Sequence, residues 1–261
     1  MPIFGRRKDG SRRGSKIFDH QRPPLVSFLF LFRFPIMRHF VNLPTLVKTQ
    51  GALLFLILAM FLTFLLQNVL GEGFYEKFML FPVEISNAWH ALLAGDFQHV
   101  RWDGFVTLFT PAMLHGSAGH IIGNMIFLWI FGALAAELLG QRHMLFVFVF
   151  TAITGSLCHV ALNPEESIPC IGASGAVMGF EGLYLAMAVR WHLPNPHVWP
   201  MARPIAPSQL AMVGIIGLIF DFMGYTGGGM GVAYGAHLGG FIGGLLLGSF
   251  FVKMPRHALP R

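Results

Sequence analysis

Six apolar stretches run through this chain, and their lengths restrict what it can fold into. They cover residues 52–70, 120–139, 144–162, 171–189, 209–224 and 232–252. A helix needs roughly 20 apolar residues to cross a bilayer core of about 30 Å, and each stretch is near that length. The fifth stretch is short and contains Asp221. We therefore predict an all-α membrane protein with six transmembrane helices.

The composition agrees with a multi-pass membrane protein. Of the 261 residues, 54% are hydrophobic and only 11% are charged, whereas a soluble domain of this length needs far more charge to cover its surface. The two cysteines, Cys158 and Cys170, form no disulfide framework, and no Cys-x-x-Cys or Cys/His spacing indicates zinc. We expect free thiols, no metal and no cofactor.

Lysine and arginine are unevenly distributed along the chain. Ten of the 18 precede Gly51, and with a cytoplasmic N-terminus only Lys77 and Arg101 would face outward. Basic residues favour cytoplasmic loops, so we expect both termini on the cytoplasmic side. The basic N-terminal arm is then an orientation signal that touches anionic lipid rather than a nucleic-acid site. The predicted parts are a flexible cytoplasmic arm (1–50), a six-span domain (51–254) with a long outer first loop (71–119), and a cytoplasmic tail (255–261).

Polar residues recur at the outer end of three predicted spans. Spans two, four and six all begin outside, and His120, Ser174 and His237 each lie within about the first turn or two of their span. Asn124 follows His120 by one helical turn, so both side chains project from one face. We expect these four side chains in one pocket that opens to the extracytoplasmic side, where water can enter.

Glycines explain how two of these helices approach each other. Small residues let helix backbones touch in a membrane, and they recur around Ser174 and around His237: Gly172, Gly175 and Gly179, and Gly235, Gly239, Gly240, Gly243 and Gly244. An isolated serine in such a face is most often one more small residue. The histidine in the matching face changes that interpretation, because a polar side chain in hydrocarbon costs a few kcal/mol unless it finds a partner.

A serine and a histidine that meet in this way suit nucleophilic catalysis. The hydroxyl is a poor nucleophile until a base takes its proton, and histidine has a suitable pKa. The backbone N–H of Ser174, the Asn124 amide and a ring N–H of His120 are candidate donors to an oxyanion. A dyad is simpler than a triad, since Asp221 lies on another span. The Gly-x-Ser-x-Gly turn of soluble hydrolases is absent, because residue 176 is alanine.

Short segments in a fixed order make this pattern specific. They are FTPAMLH at 109–115, His120 with Asn124, GASGA at 172–176, GVA at 231–233 and AHLGG at 236–240. Over residues 50–253 the set resembles the rhomboid family of intramembrane serine proteases. The resemblance implies a six-helix bundle with a first loop partly in the outer leaflet and span four entering a wet cavity.

The same resemblance implies a role for each site residue. Ser174 would be the nucleophile, His237 the general base, and His120 with Asn124 the groups that stabilise the oxyanion. Substrates would be single-span membrane proteins, cut in or near the transmembrane segment. The partners expected are therefore such proteins and the lipid bilayer, with no nucleic acid and no metal.

Three positions depart from the family pattern. Val106 and Thr107 replace a Trp-Arg pair in the first loop, so the loop must be anchored differently. A glutamate expected at 136 stands one residue later, at Glu137. Four residues after the serine, where an aromatic ring often stacks on the base histidine, this chain has Met178, which packs more loosely.

Other classes of function remain open at this stage. A transporter or channel also carries intramembrane His and Asn, but it has no need of Ser and His on adjoining glycine faces. A catalytically weak or inactive relative that acts as a membrane-protein binder or chaperone shares the fold, although such relatives typically lack the serine or the histidine. No His-Glu-x-x-His motif indicates a metalloprotease, and an aspartyl protease needs a second membrane aspartate besides Asp221. With no evident presequence, we expect a bacterial plasma membrane rather than an organelle.

Overall fold

A computed structural model describes residues 43–194, 207–226 and 232–260, and most of them are helical. Most of the predicted N-terminal arm, the middle of the proline-rich loop before span five, and Gly231 of the GVA segment lie outside these residues. The long helices are α1 (Leu43–Leu70), α2 (Pro82–Leu93), α3 (Ala118–Leu139), α4 (Gln141–Leu162), α5 (Ser174–Arg190), α6 (Pro207–Thr226) and α7 (Tyr234–Phe251). Residues Leu128–Gly132 in α3 and Leu247–Phe251 in α7 form π-helical turns.

Within the described ranges, four helices are long and apolar enough to cross a membrane, judged by length and composition: α1, α3, α4 and α7. The fourth predicted span corresponds to α5, which has 17 residues, and the fifth corresponds to α6, which has 20. Each of the six predicted stretches therefore overlaps a helix. The fourth and fifth, however, are not among the four helices that are long and apolar enough to cross a membrane.

In all six spans the first helical residue that the structure describes differs from the predicted start, and for α1 and α5 the physical reason is evident. Helix α1 is already helical at Leu43, well before the predicted start at residue 52. Polar residues in these turns interrupt the apolar run, so the sequence pattern places the start too late. Helix α5 begins at Ser174 rather than at residue 171. Gly172 has φ +126°, a conformation that no helix contains, and its N–H donates to the carbonyl of Pro111 at 2.8 Å.

The predicted glycine faces pack α5 directly against α7. A Cβ atom on Gly240 would overlap the carbonyl oxygen of Gly175, and one on Gly244 would overlap that of Gly179. Such contacts put backbone against backbone, so a methyl group at either position would force the two helices apart. We call this α5–α7 contact the glycine seam.

Helix α4 packs against the other side of α7. A Cβ atom on Gly239 would overlap Cys158, and one on Gly243 would overlap the hydroxyl of Thr154. Gly155 of α4 also lies against α7, since a Cβ atom on this glycine would be 2.7 Å from the carbonyl oxygen of Ala236. Helices α4, α5 and α7 therefore form a tightly packed group that fixes the residues at their ends.

The first loop lacks the Trp-Arg pair of the family pattern and is held by other contacts. Its short helices are Glu72–Tyr75, Glu76–Phe78, Trp102–Leu108 and Thr110–Met113. Leu80 and Cys170 exchange two backbone hydrogen bonds of 3.2 and 2.8 Å. Arg101 pairs with Asp103 at 3.0 Å and with Glu84 of α2 at 3.6 Å. These are the contacts that anchor the loop in this chain.

The far ends of α5 and α7 are also joined. Arg190, the last residue of α5, donates to the carbonyl oxygens of Gly248 and Val252, and its guanidinium lies 4.0 Å from the centre of the Trp191 ring. Strand β1 (Trp191–His192) then pairs antiparallel with β2 (Leu259–Pro260). The two helices are consequently linked at the end opposite Ser174.

Candidate active site

Ser174 is the first residue of α5, and this position matters for its chemistry. The N–H groups in the first turn of a helix have no carbonyl partner within that helix, and the helix dipole makes this end positive. The first intrahelical bond near Ser174 runs from the N–H of Val177 to the carbonyl of Ala173 at 3.0 Å. Ser174 therefore lies at the end of α5 where backbone N–H groups have no partner within the helix.

His237 lies in the first turn of α7 and reaches Ser174 directly. Its Nε2 atom is 2.7 Å from Ser174 Oγ, a hydrogen-bond distance. The close approach depends on Gly175, since a Cβ atom there would lie 3.0 Å from the carbonyl oxygen of Ala236. Both partners are half-buried rather than sealed in the core. The structure thus brings together the serine and the histidine singled out in the sequence.

His120 lies beside the pair at the start of α3. The hydroxyl of Ser117 caps this helix by accepting the His120 N–H at 3.1 Å. The ring packs on Gly172: a Cβ atom on that glycine would lie 2.7 Å from Cε1 and 2.8 Å from Nε2 of His120, and 3.7 Å from Ser174 Oγ. Position 172 therefore requires glycine for two reasons. Its φ is positive, and the imidazole of His120 occupies the space that a side chain would fill.

Asn124 lies one turn further along α3 and is buried, with 7% of its surface exposed. Its Nδ2 atom donates to the carbonyl of His120 at 3.1 Å, a bond within its own helix rather than one to Ser174. This bond uses one of the two amide hydrogens and fixes the side chain. The structure therefore places Asn124 on the expected face, next to His120.

His115, the last residue of the FTPAMLH segment, is deeply buried. Only 2% of its surface is exposed, and its ring meets the His120 ring edge-on with centroids 5.2 Å apart. Its backbone forms a reciprocal pair with the Gln67 side chain, at 3.1 and 3.4 Å. Burial is the main reason that its pKa falls to about 4, with a smaller contribution from His120. His115 is therefore a neutral ring behind the site.

Tyr234 is a neighbour of the site that sequence reasoning missed. It precedes His237 by three residues on α7, and the two rings lie at 79° with centroids 6.3 Å apart. Met178, which stands where the family often has an aromatic residue, is buried with 7% of its surface exposed. The spacing of three residues on a helix was the available signal, because it places Tyr234 and His237 on one face.

The described ranges contain no group of three His, Cys, Asp or Glu side chains close enough to hold a metal ion. The site as described is built from a hydroxyl, imidazoles, an amide and backbone N–H groups. These are the components of acyl transfer, in which a nucleophile and a base act beside donors to an oxyanion.

Comparison with known proteins identifies the family. The rhomboid domain model matches residues 103–254, more than half of the chain and all four residues of the site. The rhomboid protease GluP of Bacillus subtilis is 31% identical over 137 residues, 52% of this chain. From Arabidopsis thaliana, the mitochondrial RHOMBOID-like protein 12 is 30% identical over 150 residues (51% of this chain), and the chloroplastic Rhomboid-like protein 11 is 24% identical over 178 residues (64%).

The matched segments span only 24%, 43% and 54% of these relatives' own lengths. The match with the domain model does not depend on those lengths, and it covers α3, α5 and α7, the helices that carry the site. The protein is embedded in a membrane that it crosses several times, and it belongs to the rhomboid family.

Proposed function

We propose that this protein is an intramembrane serine endopeptidase that cleaves single-span membrane proteins in or near their transmembrane segment. The observation that carries this proposal is the 2.7 Å contact between His237 Nε2 and Ser174 Oγ. A nucleophile and a base within hydrogen-bond reach are the signature of an activated serine. An inactive membrane-protein binder has no need of this contact.

In the proposed mechanism, His237 accepts the proton of Ser174 as Oγ attacks the scissile carbonyl. The resulting imidazolium then donates that proton to the leaving amine, which leaves an acyl group on Ser174. A water molecule, deprotonated by His237, hydrolyses the ester and restores the serine. The half-buried position of both residues supports this scheme, because hydrolysis requires that water reach the site.

The oxyanion of the tetrahedral intermediate would lie at the N-terminus of α5. The donors we propose are the backbone N–H of Ser174, a ring N–H of His120 and the second amide hydrogen of Asn124. The packing of His120 on Gly172, next to Ser174 Oγ, supports this assignment. Each donor of this kind typically contributes about 3 kcal/mol to the transition state.

The finer topology is part of the same proposal. We propose six spans, with α5 and α6 as the fourth and fifth, both termini in the cytoplasm and a site that opens to the extracytoplasmic side of a bacterial plasma membrane. Residues 51–254 would be the catalytic domain, 1–50 the arm and 255–261 the tail. The positions of Ser174, His120 and His237 at the starts of alternate predicted spans support one shared depth.

The test is cleavage of a single-span substrate by the purified protein in liposomes. We expect Ser174→Ala and His237→Ala to abolish cleavage, while Ser249→Ala and His143→Ala, at the opposite end of α7 and the exposed start of α4, retain it. A fluorophosphonate should label the wild type and His143→Ala, and should fail to label Ser174→Ala. Cleavage that survives in Ser174→Ala would refute the mechanism, and a wild type that neither cleaves nor labels would favour the binder.

A second measurement addresses the oxyanion. Asn124→Ala should lower kcat by about 100-fold with little change in KM, because the lost donor acts in the transition state. An effect confined to KM would instead mean that Asn124 binds the substrate.

A further inference from the structure

The imidazole of His237 has an aromatic neighbour on its own helix. Tyr234 opens α7, and its N–H donates to the carbonyl of Val232 at 3.0 Å. One turn later comes His237, and the two rings meet edge to face, at 79° with centroids 6.3 Å apart. Edge-to-face pairs at this separation are a favoured aromatic arrangement.

A histidine base must be held in one orientation to act on a serine. The torsion that rotates an imidazole about its Cβ–Cγ bond is broad, so the side chain alone does not fix the ring plane. The hydrogen bond to Ser174 Oγ constrains Nε2 but permits the ring to tilt about it. A second ring against the imidazole removes that freedom.

One turn after its serine, helix α5 carries a thioether rather than an aromatic ring. Met178 lies one turn after Ser174 and is buried. A thioether side chain has three rotatable bonds and adapts to its neighbours instead of imposing a plane on them. The ring that meets His237 edge to face is that of Tyr234, on α7 itself.

We propose that Tyr234 is a positioning residue that fixes the plane of the His237 imidazole, an inference that rests on the proposed protease function. Tyr234 acts through the histidine and does not touch the reacting atoms. Its position on the same helix as the base means that the pair moves as one unit, whatever the substrate does to α5.

The proposal predicts which kinetic parameter changes. Loss of the ring should lower kcat by about 10-fold and leave KM unchanged, since a tilted imidazole impairs proton transfer and not substrate binding. Tyr234→Phe keeps the ring and should stay within about twofold of the wild type.

The decisive comparison separates the aromatic ring from the bulk of the side chain. We would measure kcat and KM of Tyr234→Ala, Tyr234→Leu and Tyr234→Phe in liposomes, with the unfolding of each variant followed in parallel. Leucine fills much of the same space without a ring, so Tyr234→Leu should lose kcat as Tyr234→Ala does. A lower kcat in both variants at unchanged stability, with Tyr234→Phe near the wild type, supports the proposal. Unchanged kcat in Tyr234→Ala, or wild-type kcat in Tyr234→Leu, overturns it.

A second readout is independent of catalysis. In bilayers of protein with labelled histidine, the ring current of Tyr234 should displace the His237 ring resonances, assigned by their loss in His237→Ala. Tyr234→Ala should abolish the displacement and Tyr234→Phe should keep it. If the wild type shows the displacement but cleaves no substrate, the proposed protease function is refuted while the ring contact stands. If the His237 resonances are identical in the wild type, Tyr234→Ala and Tyr234→Phe, the ring contact itself is refuted.

Discussion

The helices of this protein are held together in two different ways. In the group formed by α4, α5 and α7, glycines let backbones touch, and an added methyl group would meet a carbonyl oxygen. Helix α1 has 28 residues, of which only Leu53, Leu56, Met60 and Gln67 are buried. Polar bonds join it to its neighbours, such as the one from the Ala52 N–H to Gln141 Oε1 at 2.6 Å.

The difference teaches which part of the fold sets the site geometry. Hard atoms in backbone contact leave almost no room for adjustment, so the glycine seam fixes the distance between Ser174 and His237. Helix α1 instead exposes most of its apolar side chains, which suits a surface covered by lipid. We therefore expect mutations in the two regions to differ in size and in kind.

The largest effect should come from the seam itself. Gly240→Ala adds a methyl group that overlaps the Gly175 carbonyl, and a backbone atom cannot move aside, so unfolding in detergent should be easier by about 3 kcal/mol. Gly123→Ala on α3 is the matched control, because nothing lies within 4 Å of its Cβ position. That control should be neutral or slightly stabilising. If Gly240→Ala and Gly123→Ala were equally stable, the glycine seam would not be more tightly constrained than the rest of the fold.

Acid should weaken the region behind the first loop. Burial lowers the pKa of His115 to about 4, below its ordinary value of 6.5, so the unfolded chain binds a proton that the folded one does not. Stability from the neutral ring is present above pH 6.5 and is lost as the pH falls towards 4, by about 3 kcal/mol. The titratable group that faces it is His120. Unfolding measured from pH 7 to 4 should depend less on pH in His115→Gln, and identical profiles would contradict this account.

A smaller loss should follow from cutting the link between α1 and the first loop. Gln67→Ala removes both bonds to the His115 backbone and leaves a buried N–H and carbonyl without partners, which costs about 1–2 kcal/mol. Asn68→Ala, whose side chain is exposed and bonds only to Phe64 of its own helix, should cost less than about 0.5 kcal/mol. Thermal unfolding of both variants should be measured in one detergent. A larger loss of stability in Gln67→Ala than in Asn68→Ala means that the bonds to the His115 backbone are responsible, and equal losses would contradict this.

The smallest effect should lie on the exposed face of α1. Leu65 is 60% exposed, so Leu65→Ala should change the free energy of unfolding by less than about 0.5 kcal/mol. Met60 on the same helix is completely buried, and Met60→Ala should cost about 2 kcal/mol. A large loss of stability in Leu65→Ala would show that this face of α1 packs on protein. Helix α1 would then resemble the tightly packed group of α4, α5 and α7.

The contacts that the sequence predicts correctly are those with a repeating side-chain pattern. Glycines at helical spacing around Ser174 and His237 predict the seam, and the seam leads to their hydrogen bond. The anchoring of the first loop has no such pattern. Leu80 and Cys170 pair through backbone atoms, which every residue possesses, so their side chains give no signal.

Other features were missed because they depend on long-range packing. The burial of His115 results from Gln67, 48 positions earlier in the chain, and from the ring of His120. The start of α5 depends on Gly172, whose positive φ is a property of the folded backbone. Tyr234 is different, because its spacing of three residues from His237 on one helix does predict that the two share a face.

Arg190 has a consequence for motion. Its guanidinium binds the carbonyls of Gly248 and Val252, at and just beyond the end of α7, and the glycine seam lies nearer to Ser174. Helices α5 and α7 are therefore fastened along their whole shared length. We expect the nucleophile and the base to keep their distance on the microsecond-to-millisecond timescale of helix displacements. When an incoming polypeptide needs more room, the helices around this rigid pair must move instead.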